Sequence, residues 1–404
     1  MTTHKDLKPP CYILGIETQI GLALIRELGE ANIPVIGIAL NEKAIGLKSR
    51  YLIGREILKN PRTEKGLWEL QAIGKRYGTG VLLAISEINM KWLIENKASL
   101  TMLKVIAPFT KAFDIALDKT KTLELAKYCG IDVPISDNPN SWEDIEKIAQ
   151  KFLFPAVLKW SDPNRIGVSL SRHNIKFLKA EYVYTAEEYL AASKRYCAIE
   201  HWPLIQEYCP GIGLGQFFFM YEGKPVRRFQ HVRIAEWPPE GGFSSVCDGV
   251  PLDQFQELQE KSIQLLQKIG WEGVAMVEYR YDPQKNRAVL MEINGRFWGS
   301  FPLAYYSGAG FGILSYSLQG QGIMPELPPL RNDLRCRMVA TELKRLKRIL
   351  LEPDLIRDRS FVQRPFYEVK RFLIDFLRHS VRYYVWNRRD IKPFIRDIRN
   401  MLGL

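Results

Sequence analysis

Apolar positions in the first third of the chain come in short blocks. Residues 12–16 (Tyr-Ile-Leu-Gly-Ile) form one block, and residues 21–28 then place Leu22, Leu24, Ile25 and Leu28 on one face of a helix. Residues 33–40 read as a second buried strand. Strand, helix and strand within about 30 residues make a βαβ unit, which calls for a parallel sheet. A helix over 66–77 and a third strand over 80–85 continue the pattern, so residues 1–115 are expected to form a small doubly wound domain. The first turn holds only Gly15 and Gly21, without the three glycines of a dinucleotide fingerprint, and reads as a packing turn.

From residue 118 the texture changes. Asp118 caps a helix that ends near Gly130, and Val133-Pro134 opens an extended connection. A helix over 142–152 precedes a strand over 154–160, which a turn over 161–167 follows. Strand-rich sequence fills 180–235, and a helix over 255–269 leads into strands over 274–282 and 288–294. Pro325-Glu-Leu-Pro-Pro329 marks a boundary. Beyond it the chain reads as helices with basic faces, interrupted by Pro353, Pro365 and Pro393. Residues 368–386 fit an amphipathic helix that either lies on a membrane surface or packs back on the core.

Composition narrows the class. Of 404 residues 46% are apolar and 25% charged, which supports large cores and argues against disorder. No run approaches the ~18 apolar residues of a membrane-spanning helix, and the N-terminus lacks the layout of a secretion signal. Six cysteines without a CxxC pair build neither a disulfide framework nor a zinc site, so a reducing, cytoplasmic compartment is expected. The net charge of +12 is uneven: residues 331–404 carry 19 Lys/Arg against 9 Asp/Glu. That end is the part able to attract a membrane surface or a polyanion, or else it is a solvated helical face. No specific nucleic-acid partner is expected.

Candidate chemistry gathers in three places. Strand side chains alternate between faces, so Glu278 and Arg280 share one face of their strand. Glu292 and Asn294 likewise share a face, with Val289, Met291 and Ile293 on the other. If the strands pair as a hairpin, two carboxylates and an amide oxygen converge beside Arg280 and Arg296. Hard oxygen donors of this kind suit Mg²⁺, which favours one or two carboxylates plus substrate phosphates; two surface carboxylates paired with arginines are the plain alternative. Lys159 closes an apolar strand and either reaches a phosphate or snorkels from the strand end. Residues 203–215 run from an apolar strand through Gln206-Glu207-Tyr208-Cys209 into a glycine-rich bend whose backbone could meet an adenine edge. No GxxxxGK[ST] occurs, which removes the P-loop NTPases.

In this order the three elements resemble the ATP-grasp superfamily, specifically its carboxylate–amine ligase branch, which is similar to the ATP-binding domains of carbamoyl phosphate synthase. The run Glu292-Ile-Asn-Gly-Arg-Phe-Trp-Gly-Ser300 is the most diagnostic piece. The resemblance implies an α/β (α+β grasp) architecture: a Rossmann-like domain over 1–115, a two-lobed grasp domain over 116–328 and a basic, mainly helical region over 329–404. It implies ATP with Mg²⁺ or Mn²⁺, the metal on Glu278, Glu292 and Asn294. Lys119 and Lys159 match phosphate lysines, Gln206, Glu207, Tyr208 and Cys209 the adenine hinge, and Arg296 the arginine that meets the transferred phosphate, with Arg280 beside it. His231 and Arg233 sit where similar segments line the acceptor side of the cleft, His231 being equally suited to a structural role. Ile212 stands where relatives often carry an acidic residue, so no ribose ligand is assigned.

The implied reaction converts a small-molecule carboxylate into an acyl phosphate, which an amine then attacks, releasing ADP and phosphate. A kinase that leaves phosphate on a stable acceptor is a second outcome of the same fold. A non-catalytic nucleotide-binding scaffold that docks through its basic end is a third. Either a monomer or a homo-oligomer is compatible with the sequence.

Overall fold

The computed structural model describes residues 8–160, 163–178 and 180–403. Its first sheet is parallel, with strands in the order Leu52–Ile57, Val35–Ala39, Cys11–Leu14, Gly80–Ala84 and Leu103–Val105. The three inner strands are buried along their whole length, as a parallel sheet covered on both faces requires. A Cβ at Gly21 would lie 2.7 Å from the Ile16 Cα, so this glycine lets helix Gln19–Glu30 approach the end of the first strand.

A four-stranded antiparallel sheet follows, in the order Ser136–Asp137, Leu204–Glu207, Ala156–Lys159 and Glu181–Val183. Its core is separate, built on Trp160, Ile166, Leu170, Tyr189, Tyr196 and Ile205. The turn expected over 161–167 is corrected in part: a helix runs over Pro163–Arg172, and Ser161 and Asp162 lie outside the described residues. A proline fits the first helical position because its missing N–H has no helical acceptor there, and Ile166 and Leu170, four apart, bury one face.

The largest sheet has seven strands, in the order Arg287–Asn294, Gly273–Asp282, Ile212–Tyr221, Lys224–Trp237, Phe243–Gly249, Arg335–Arg337 and Val381–Tyr383. One face packs on helix Gln256–Ile269, where Leu265, Leu266 and Ile269 meet Val277, Tyr279 and Leu290. The hairpin expected over 274–294 forms, with Glu278 directly opposite Glu292. Its alternation breaks at one point. A bulge lets Leu290, not Met291, oppose Tyr279, while Ile293 still opposes Val277. Val289 therefore sits opposite Arg280, on the charged face, and the expected shared face of Val289, Met291 and Ile293 does not hold.

The C-terminal region supplies helices Val339–Leu351, Pro365–Ile374 and Lys392–Met401 as well as the two outermost strands of the large sheet. Residues 368–386 are not one helix. The helix stops at Ile374, and Val381–Tyr383 pairs in parallel with Arg335–Arg337, a state that its β-branched and aromatic residues favour. Farther on, the buried Asp390 carboxylate accepts from Arg26 Nε at 3.0 Å, Ser49 Oγ at 2.8 Å and the Arg50 backbone N–H at 2.9 Å. The end of the chain is thus tied to the first sheet's surroundings.

Candidate functional site

The charged face of the large sheet meets the end of the four-stranded sheet. From the large sheet, the antiparallel register sets Glu278 and Glu292 side by side. Two carboxylates so placed repel unless cations answer them. Arg233 answers Glu278 at 2.7 Å, and Lys119 approaches Glu292 at 3.6 Å. Asn294 Nδ2 donates to Glu292 Oε1 at 3.2 Å, which fixes the amide beside the carboxylate. Lys119 opens helix Lys119–Tyr128, whose N-terminus Asp118 caps by accepting from the backbone N–H groups of Thr120 and Lys121.

From the small sheet comes Lys159, which donates from Nζ to Gln206 Oε1 at 3.0 Å. Gln206 is held in turn by donating to Ser136 Oγ at 3.3 Å. Burial, and then the nearby Lys119 charge, push the Lys159 ammonium down to about 8, against the pull of Glu292. An ammonium disfavoured by burial and a second cation is poised to gain from an anion.

The other hinge residues turn away from one another. Glu207 accepts from the Ile135 backbone N–H at 3.1 Å and pairs with Arg287 at 3.2 Å. The Tyr208 hydroxyl donates to Asp358 Oδ2 at 2.8 Å. Burial pushes the Cys209 thiol up to about 11, so it offers a neutral group.

His231 is fully buried, shares a hydrogen bond between Nε2 and Ser300 Oγ at 2.8 Å, and stacks on Phe217 at 4.8 Å between ring centroids. Burial and then Arg233 push its imidazole down to about 3, so it is neutral at pH 7. Arg296 points elsewhere: its Nε pairs with Glu87 at 3.2 Å, at the start of helix Glu87–Asn96. The structure therefore brings Lys119, Lys159, Gln206, Arg233, Glu278, Arg280, Glu292 and Asn294 into one neighbourhood. His231 is buried beside it, bonded to Ser300, and Arg296 is turned to Glu87 of a first-domain helix.

Two residues of this neighbourhood were not singled out from the sequence. Glu236 bridges Arg233 at 2.9 Å and Arg280 at 2.8 Å. Burial would raise its carboxyl, but Arg280 and Arg233 outweigh that and hold it down at about 2. Arg233 and Glu236 are separated by two irregularities in strand register, so period-two counting cannot place them together. Asp358 accepts from both Tyr184 at 2.7 Å and Tyr208 at 2.8 Å, and its distance in sequence gave no signal.

Among the described residues no three His, Cys, Asp or Glu side chains are grouped to hold a metal ion. Two paired carboxylates with an amide oxygen are instead a hard, incomplete donor set. That set fits a Mg²⁺ ion that keeps several ligands for water and phosphate.

Residues 247–319 match the family model of the ATP-binding domain of the carbamoyl-phosphate synthase L chain. The chain is 25% identical over 198 residues to the D-alanine–D-alanine ligase of Wolbachia pipientis, a match covering 45% of this chain and 55% of that one. It thus spans little more than half the length of that relative. Biotin carboxylase from Campylobacter jejuni superposes with a TM-score of 0.62 at 14% identity, covering 81% of this chain and 75% of that one. An L-amino acid ligase from Bacillus licheniformis gives 0.56 at 12% identity, covering 78% and 75%. With the three-sheet architecture and the Glu278–Glu292 pair already in place, these matches give the chain an ATP-grasp fold and make it similar to carboxylate–amine ligases of that fold.

Proposed function

We propose that this chain is an ATP-dependent ligase that activates a small-molecule carboxylate as an acyl phosphate and joins it to an amine, releasing ADP and phosphate. The observation that carries the reading is the pairing of Glu278 with Glu292 across two strands, with Lys119 beside Glu292 and close enough to depress Lys159. Glu278, Glu292 and Asn294 would hold Mg²⁺, which when bound supplies charge neutralisation to the nucleotide phosphates.

The protein's own groups account for the rest. Lys119 and Lys159 bind phosphate oxygens, and the Lys159 ammonium regains a favourable partner by doing so. Gln206 orients Lys159, and the 206–209 segment offers backbone polar groups to adenine. Arg280, set by Glu236, faces the cleft as the cation for the substrate carboxylate or the departing phosphate. Arg296 would enter by exchanging Glu87 for phosphate. Transfer of this kind needs positioning and charge neutralisation rather than a nucleophilic side chain, and the half-buried, protonated Cys209 fits that absence. All six cysteines are free thiols, which suits the reducing cytoplasm we assign to the protein.

Hydroxylamine trapping tests the activation step. With ATP and Mg²⁺, a panel of amino acids, short peptides and other carboxylic acids should yield a hydroxamate and ADP for at least one member, and amine-dependent phosphate release should follow for the true pair. A stable phosphorylated product that needs no amine would replace the ligase with a kinase. ATP binding without turnover across the panel would replace it with a scaffold.

A further inference from the structure

Helix Pro365–Ile374 is built inside out. Glu368, Arg371 and Asp375, three and four residues apart, are buried. Glu368 pairs with Arg345 and Arg371, Arg371 pairs with Glu342, and Asp375 pairs with Arg335. The opposite face carries Phe366, Leu373 and Leu377 at helical spacing, 93%, 58% and 82% exposed. Helix Val339–Leu351 buries Glu342 and Arg345 beside Leu346 and Ile349, and it too exposes large apolar side chains, Leu343, Leu350 and Leu351. The inward side of helix Pro365–Ile374 is thus taken up by ion pairs, and its apolar side faces water. Burying charge while leaving large apolar side chains outside opposes the hydrophobic effect unless something covers the outer face.

Charge says what covers it. Of the nine acidic residues in 331–404, Glu342, Asp358, Glu368, Asp375 and Asp390 are buried, while only Arg337, Arg345 and Arg371 among the nineteen basic ones are. The remaining sixteen cations, of which Arg335 is tied up with Asp248 and Asp375, outnumber the remaining four anions, so the surface of this region is strongly positive. Lys370 lies within the apolar stripe, between Phe366 and Leu373, and Arg378 follows Leu377. A polyanion in water would engage the cations and leave the phenylalanine and leucines wet. An apolar protein groove would leave the cations unanswered. A surface of anionic headgroups over acyl chains answers both. Among the described residues no helix is long and apolar enough to cross a membrane, so the contact is peripheral.

We propose that residues 339–378 dock this protein on anionic phospholipid surfaces, with Phe366, Leu373 and Leu377 entering the interface and Lys370 and Arg378 meeting phosphates. The test is sedimentation of the full chain with vesicles of phosphatidylcholine alone, or of phosphatidylcholine and phosphatidylglycerol in equal parts. Binding is expected only to the mixed vesicles and should weaken as salt shortens the screening length. The combined Phe366→Ser, Leu373→Ser, Leu377→Ser variant should bind them at least about tenfold more weakly. Its unchanged melting temperature would show the fold intact, since all three side chains are exposed. Lys370→Glu with Arg378→Glu should remove the preference for anionic lipid by a separate route. Equal binding to both vesicle types, or full binding by the serine variant, overturns the proposal. So does a wild-type dimer that the serine variant converts to monomer without vesicle binding, which would assign the face to a second copy of the chain.

Discussion

In the cleft, Glu278, Arg233, Glu236 and Arg280 form a chain of alternating charges whose side chains keep 9–20% of their exposure. Under the C-terminal helices, Arg337, Glu342 and Arg371 alternate in the same way but keep 0–6%. The same residue types answer differently to the two settings. In the cleft Glu236 is held down at about 2, because Arg280 and Arg233 outweigh burial. Beneath the helices burial outweighs Arg337 and Arg371, and the Glu342 carboxyl is pushed up. A network at the water's edge can exchange a protein counter-ion for phosphate or metal. A sealed one cannot do so without opening the fold, so its charges serve architecture.

Substitutions separate the two roles. The largest effect is expected for Glu342→Ala, which strands Arg337 in the interior, takes one of several carboxylates from Arg371, and should cost about 3–5 kcal/mol in chemical denaturation. Glu292→Ala should instead leave the unfolding curve close to wild type while lowering carboxylate-dependent ADP release at least about a hundredfold, or ~3 kcal/mol. Full turnover in that variant would refute the donor role proposed for Glu292 and erase the distinction drawn between the networks.

A smaller effect concerns Lys159, whose proton is held to about 8 in the fold and to 10.5 ordinarily. ATP affinity should fall as pH rises past 8, by up to about tenfold per pH unit, and Lys159→Arg should flatten that profile in calorimetric titrations. Across the same window the unfolded chain holds more protons than the folded one, so stability of the ligand-free protein should rise with pH. The smallest effect is the control: Lys147 and Glu143 form an exposed pair on one helix face, and Lys147→Ala should leave both melting temperature and turnover unmoved.

Local pattern made the cleft legible where the chain is regular. The Glu278–Glu292 hairpin, the capped helix at Lys119 and the strand ending at Lys159 follow from alternation, capping and apolar runs. Legibility stopped where regularity did. The bulge at Met291 moved Val289 to the charged face, and the irregular register between Arg233 and Glu236 hid their pairing. Pro163 looked like a turn signal and instead opens a helix, because a proline is as acceptable in a first helical turn as in a bend. The three-residue strands Arg335–Arg337 and Val381–Tyr383 carry too few residues for a periodic signal. Their place depends on pairs such as Arg335 with Asp248, 87 residues apart, which no local window contains.

Asp390 gives the chain a direction in time. Arg26, 364 residues earlier, leaves the ribosome long before the Asp390 carboxylate that pairs with it has been made. Until then a guanidinium destined for a dry interior must stay hydrated, so the first sheet cannot seal around it. Nascent chains halted short of residue 390 should therefore be cut readily by protease near helix Gln19–Glu30, and chains long enough to deliver Asp390 to the folding domain should close that window.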